Sequence, residues 1–201
     1  PKSDPPQPLP RKKIKLRRGT QVRLARFFRC DSKALAMLLA LAIGPVQADG
    51  MAPSALSAIE YVDISATDRV TWLGFRVVDI TVFTQGGARY DPVKQAALEL
   101  RYARRFSNTS LTTATMEELD RLEGTQPDHP EIARKLQSCF ADVGPGDRFL
   151  AVGASRDQVT LYRNDAKTCR LNHPNIRARF LDIWLSLDSR FPAVSRRLRG
   201  L

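Results

Sequence analysis

Three observations predict an α+β domain: strand-like stretches dominate from residue 59 to 106, helical stretches follow to residue 140, and a strand pair then precedes a last pair of helices. Residues 61–64 form a short alternating stretch. Residues 70–84 are rich in β-branched and aromatic side chains: Val70, Trp72, Phe75, Val77, Val78, Ile80, Val82 and Phe83. They read as one strand region that Gln85-Gly86-Gly87 stops. Residues 96–106 alternate, with Leu98, Leu100 and Tyr102 on one face and Glu99, Arg101 and Ala103 on the other.

Thr109-Ser110 opens a helix with Met116, Leu119 and Leu122 in one stripe, and Gly124 ends it. Asp128 and Pro130 start a second helix over 131–140, with Ile132, Leu136 and Phe140 at helical spacing. Residues 143–147 form a tight turn whose Asp147 is expected to cap backbone groups. Residues 148–152 and 158–163 read as paired strands, followed by an Asn164-Asp165 turn. Pro174 begins an amphipathic helix to residue 189, with Ile176, Phe180, Ile183, Trp184 and Leu187 inward, and a short helix over 194–198 closes the chain. About 150 residues are enough to bury a single core.

The charge is unevenly distributed. The chain carries a net charge of +11, yet residues 1–33 hold eleven Lys and Arg against two acids, and the remaining 168 residues carry only +2. A nucleic-acid binder needs its basic face on the folded part, so nucleic acid is not an expected partner. Residues 1–33 instead read as a disordered basic region, and residues 34–44 as an uncharged apolar run. Val46 and Ala48 then supply the small residues that a signal peptidase reads. Residues 34–48 are therefore expected to be the hydrophobic and cleavage region of a signal peptide, cut between Ala48 and Asp49. That implies a periplasmic or secreted protein with no integral membrane segment after cleavage, since eleven apolar residues fall short of the roughly 20 a spanning helix needs.

Export changes the reading of the cysteines. Cys30 leaves with the signal, and Cys139 and Cys169 remain as an even pair in an oxidising compartment. They form either a disulfide, the expected outcome, or two separate buried thiols. His129 and His173 each precede or neighbour Pro in loop sequence and read as solvated turn residues, so no metal or cofactor is expected. Glu117-Glu118 reads as an acidic pair placed for a helix dipole. Arg76, amid apolar neighbours, and Arg101, on the second face of its strand, point either to solvent or into a cleft. An arginine in a cleft would suit an oxygen anion, because its planar fork binds two oxygens at once.

Four stretches, in order, resemble the bacterial chalcone isomerase-like proteins: Leu73-Gly74-Phe75-Arg76-Val77-Val78-Asp79-Ile80-Thr81-Val82-Phe83, Ala97-Leu98-Glu99-Leu100-Arg101-Tyr102-Ala103-Arg104, Phe140-Ala141-Asp142-Val143-Gly144-Pro145-Gly146-Asp147-Arg148, and Phe180-Leu181-Asp182-Ile183-Trp184-Leu185 with Leu198-Arg199-Gly200-Leu201. The resemblance implies a domain over 58–201 with an open-faced β-sandwich, in which helices cover one face of an antiparallel sheet and leave a ligand cleft. The plant enzymes of this family cyclise a chalcone with an Arg in a Gly-Arg-Gly-like setting. Here that region reads Ile64-Ser65-Ala66-Thr67-Asp68-Arg69, so no catalytic residue is assigned. Other branches of the fold bind fatty acids through an Arg and a Tyr, which implies Arg101, Arg76 and Tyr102 as ligand-binding residues. The resemblance therefore leads first to an exported, non-catalytic protein for a small amphipathic ligand such as a fatty acid. The alternatives are an intramolecular lyase of the chalcone isomerase type and a cell-envelope interaction module.

Overall fold

The computed structural model describes residues 53–201. The basic region, the apolar run and the Ala48–Asp49 cleavage position lie outside the described residues. The elements run α1 (Pro53–Leu56), β1 (Val62–Trp72), β2 (Phe75–Gln85), β3 (Ala96–Tyr102), α2 (Asn108–Glu123), α3 (His129–Cys139), β4 (Arg148–Ser155), β5 (Gln158–Arg163), β6 (Ala166–Asn172), α4 (Ile176–Leu185) and α5 (Pro192–Leu198). The six strands form one antiparallel sheet in chain order, β1 to β6. This is an α+β, open-faced arrangement of the chalcone isomerase-like kind.

Local chemistry accounts for the breaks. Ser107 caps α2, its hydroxyl accepting from the Ser110 backbone N–H at 3.1 Å. Gly124 ends that helix at φ 72° and ψ 170°, an extended positive-φ conformation open essentially to glycine alone. Pro130 stands in the first turn of α3, where its missing N–H is harmless. Asp147 accepts from the Gly144 backbone N–H at 2.7 Å and so holds the turn before β4.

Strand alternation sorts side chains into two faces. Ile80, Leu98, Leu100, Phe149, Leu161 and Leu171 point to one side and pack against Leu119, Ile132, Leu136, Leu181 and Leu198 of the four longer helices. Phe83, Ala97, Leu150 and Val152 point to the other, where α1 supplies Ala55 and Leu56, joined by Ile59. The single helical turn of α1 thus seals part of the second face. Farther along that face the residues are charged: Asp79, Arg101 and Arg148 stand side by side across β2, β3 and β4.

Several sequence expectations need correction. Residues 70–84 are two strands, because Leu73 and Gly74 form a two-residue turn at φ 49° and 79°. β6 was not expected, and it pairs with β5 through the Asn164-Asp165 turn. The helix placed at 174–189 spans only Ile176–Leu185, which leaves Leu187 40% exposed. His129 and His173 are buried, at 5% and 8% exposure, because each finds carboxylates inside the fold.

Cys139 and Cys169 form a disulfide with a Cα–Cα distance of 5.2 Å, within the ordinary range. It ties the end of α3 to the edge strand β6 across a sequence separation of 30 residues. In the chain-entropy model a loop of that length stabilises by roughly 3–4 kcal/mol.

Candidate functional site

A cavity of about 200 Å³ opens between the sheet and the helices. Leu98, Leu100 and Ala151 form its floor, Leu111 and Ala114 of α2 one wall, and Ile183 and Trp184 of α4 the other. It exists because the helix layer bridges the sheet without filling it here. Trp184 stacks flat on Phe191 at 6.4 Å between ring centroids, a broad rigid wall in place of an interdigitated one. Phe140 and Phe149 meet edge to face at 5.6 Å and close the far side.

The lining is apolar with a few polar groups. Tyr102 is buried among Phe106 and Phe149, and burial pushes its phenol well above the ordinary tyrosine range. It is therefore a neutral donor at any physiological pH. Among the described residues, no side chain or backbone group pairs with its hydroxyl. Ser110 and Thr115 add two further hydroxyls from α2, of which Thr115 is occupied by its own helix, donating to the Leu111 carbonyl at 2.8 Å.

Glu118 and Arg190 bring charge to the lining. Glu118 is 5% exposed and lies in the second half of α2, so it is not a dipole-compensating acid of the first turn. Its carboxylate accepts two hydrogen bonds from Arg121, at 2.6 and 3.0 Å, and one from the Arg190 backbone N–H at 2.8 Å. Burial pushes this carboxyl up, but the Arg121 hydrogen bonds, the Arg190 N–H and both positive charges together hold it below the ordinary glutamate value. The Arg190 guanidinium is held more loosely, with Nε 3.4 Å from Glu118 and Nη2 4.0 Å from Glu117. It is about half exposed. An anion arriving at the rim can replace those long contacts with a short, bidentate one.

Of the three ligand-binding residues expected from the sequence, Tyr102 lies on the cavity lining. Arg101 lies across the sheet, since Leu100 and Tyr102 on either side of it face the cavity. Arg76 is exposed and pairs with Asp79 through both Nε, at 3.0 Å, and Nη2. Arg190 was not singled out from the sequence: it stands in the loop after α4, and only the approach of that loop to α2 brings it to the cavity. Among the described residues, no group of three His, Cys, Asp or Glu side chains could hold a metal ion, and no helix is long and apolar enough to cross a membrane.

No protein-family model matches this chain, and no curated protein matches it. Among solved structures it is similar to the crystal structure of a fatty-acid binding protein from Arabidopsis thaliana, with a TM-score of 0.54 and 8% sequence identity. The match covers 75% of this chain and 96% of the plant protein. At that identity the likeness is one of fold alone.

Proposed function

We propose that this chain is a non-catalytic binding protein for a small amphipathic molecule such as a fatty acid, exported to the periplasm or beyond the cell after cleavage behind Ala48. The observation that carries the reading is an apolar cavity with a loosely held arginine at its rim. An apolar tail gains about 0.8 kcal/mol per buried methylene in such a space. Its carboxylate takes the Arg190 guanidinium, and Tyr102 offers a neutral hydroxyl inside. The cavity's 200 Å³ is below the roughly 300–1,000 Å³ of sites that engulf a drug-sized ligand, so it holds part of a chain while the rest emerges beside Arg190. The fold shared with a plant fatty-acid binding protein supports the ligand class. An unfilled interior of this size weighs against a purely structural envelope module.

The test is fluorescence of a conjugated-polyene fatty acid titrated into the purified protein, with native mass spectrometry for co-purified lipid. Ala114 stands on the exposed rim of α2, so Ala114→Trp should obstruct entry without disturbing the core. Affinity should fall about tenfold or more, the effect of excluding two or more methylenes. Unchanged binding in that variant, or no binding in the parent, would end this reading.

A further inference from the structure

The hairpin that joins β1 to β2 carries three large apolar residues in solvent: Trp72 is 59% exposed, Leu73 82% and Phe75 60%. One such residue alone would mean little, but three in four consecutive positions form a patch. The turn itself sharpens the point. Leu73 and Gly74 have positive φ, as do Asn164 and Asp165 in the β5–β6 hairpin. Asn and Asp suit that backbone; a branched leucine is strained in it and, here, exposed as well. Nothing inside the domain accounts for leucine at this position.

The surroundings are basic. Arg69 and Arg76 share the single carboxylate of Asp79. Arg104 lies over the Phe75 ring at 4.7 Å and donates to the Arg76 carbonyl, and exposed Arg105 follows it in the chain. Arg69, Arg76 and Arg104 thus flank the tip with the one carboxylate of Asp79 among them. The tip also adjoins the cavity: Trp72 meets Phe191 edge-on at 6.5 Å, and Phe191 is part of the cavity wall.

We propose that the Trp72–Phe75 hairpin docks this protein on an anionic lipid bilayer, its apolar tip in the headgroup–acyl boundary and its arginines on the phosphates. An indole at such a boundary keeps its apolar body in lipid and its N–H toward water, and arginines gain from the negative surface potential. The docking stands on the hairpin alone. Its further consequence, that a lipid tail passes from the bilayer along Trp72 and Phe191 into the cavity, rests on the proposed binding function.

The experiment is vesicle flotation of the full chain with phosphatidylcholine and phosphatidylglycerol in equal parts, comparing the parent with Leu73→Asn/Phe75→Thr. Asparagine suits the turn and threonine the strand, so the variant should fold as the parent does and melt only slightly lower, having lost the exposed Arg104–Phe75 contact. The basic residues 1–33 are common to both proteins, so the difference between them isolates the tip. In a Trp184→Phe background, Trp72 is the one remaining indole and reports insertion through quenching by brominated acyl chains. Vesicle binding should fall about tenfold in the variant, Trp72 quenching should vanish with it, and phosphatidylcholine alone should bind the parent more weakly. Equal binding by parent and variant, or an unquenched Trp72 on bound protein, overturns the docking. So does a dimer that depends on Leu73 and forms without lipid, since a second copy would then cover the tip. Fatty-acid uptake measured without vesicles should be the same in both proteins, and its absence in the parent would count against the cavity reading only.

Discussion

On the helix face of the sheet, Ile80, Val159 and Leu171 lie under the helix layer, away from the cavity, and are sealed from water. On the opposite face, among the described residues, Leu150, Val152 and Phe83 are covered by Ala55, Leu56 and Ile59 and edged by Val62 and Tyr162, and farther along that face Asp79 and Arg101 follow. Both faces follow the same alternation, yet only the covered one can enclose a ligand. The difference shows that the site belongs to the helix layer. The sheet supplies a flat apolar floor, and the cavity forms where α2, α4 and the loop after α4 fail to meet.

The largest test of this contrast is a pair of truncations. Leu136 of α3 is fully buried in the thick layer, and Leu136→Ala should cost about 3–4 kcal/mol in urea unfolding. Leu150 is nearly as buried, but its cover is one helical turn that can settle into the gap, so Leu150→Ala should cost about 2 kcal/mol. Equal losses would mean that the second face is packed as firmly as the first.

A smaller effect sharpens the picture within the helix face. Away from the cavity, the layer is tight. Arg177 of α4 crosses directly over Gly153 of β4 to donate to the Val93 carbonyl at 2.8 Å. A Cβ at Gly153 would lie 2.6 Å from the Arg177 Cγ, too close for the buried stem to accommodate. Gly153→Ala should destabilise by about 1–3 kcal/mol, and Arg177→Ala in the same chain should recover part of that loss. Additive losses would show that the two positions do not meet.

How far the sequence anticipated this arrangement depends on where each signal resides. Alternation around Leu98, Leu100 and Tyr102 is a local pattern, and it put Tyr102 and Arg101 on opposite faces of the sheet; which face holds the cavity is set by the helix layer, and alternation does not encode it. Cys139 and Cys169 were legible because only two cysteines follow the apolar run. β6 was hidden because it is an exposed edge strand, with Lys167 and Arg170 outward and little alternation to read. The Leu73-Gly74 turn was hidden because leucine is not a turn residue; the same misfit later marks it as a surface device. Glu118, Arg190 and the two histidines were misread or missed for a shared reason. Apart from the local Glu118–Arg121 pair, the contacts that define them reach partners 6 to 72 residues away in the chain, which no local spacing encodes.

The smallest expected effect concerns pH and the seam between α2 and α3. His129 is wedged between two carboxylates, with Nδ1 2.7 Å from Asp120 and Nε2 2.8 Å from Glu123. Arg179 of α4 binds Glu123 and Asp128 from the other side. Burial pushes the imidazole down, but the hydrogen bonds to Glu123 and Asp120 and their negative charges outweigh it, so His129 titrates above the ordinary histidine value. A folded-state value above the unfolded one means that the protonated ring stabilises the fold. That contribution is fully present below pH 6.5 and is lost as pH rises through the raised folded value. Stability measured by urea unfolding should therefore decline from pH 6 toward pH 9 in the parent, whereas His129→Asn, less stable at pH 6, should change less over the same window. Parallel pH profiles for the two proteins would place the titrating group elsewhere and leave His129 as packing alone.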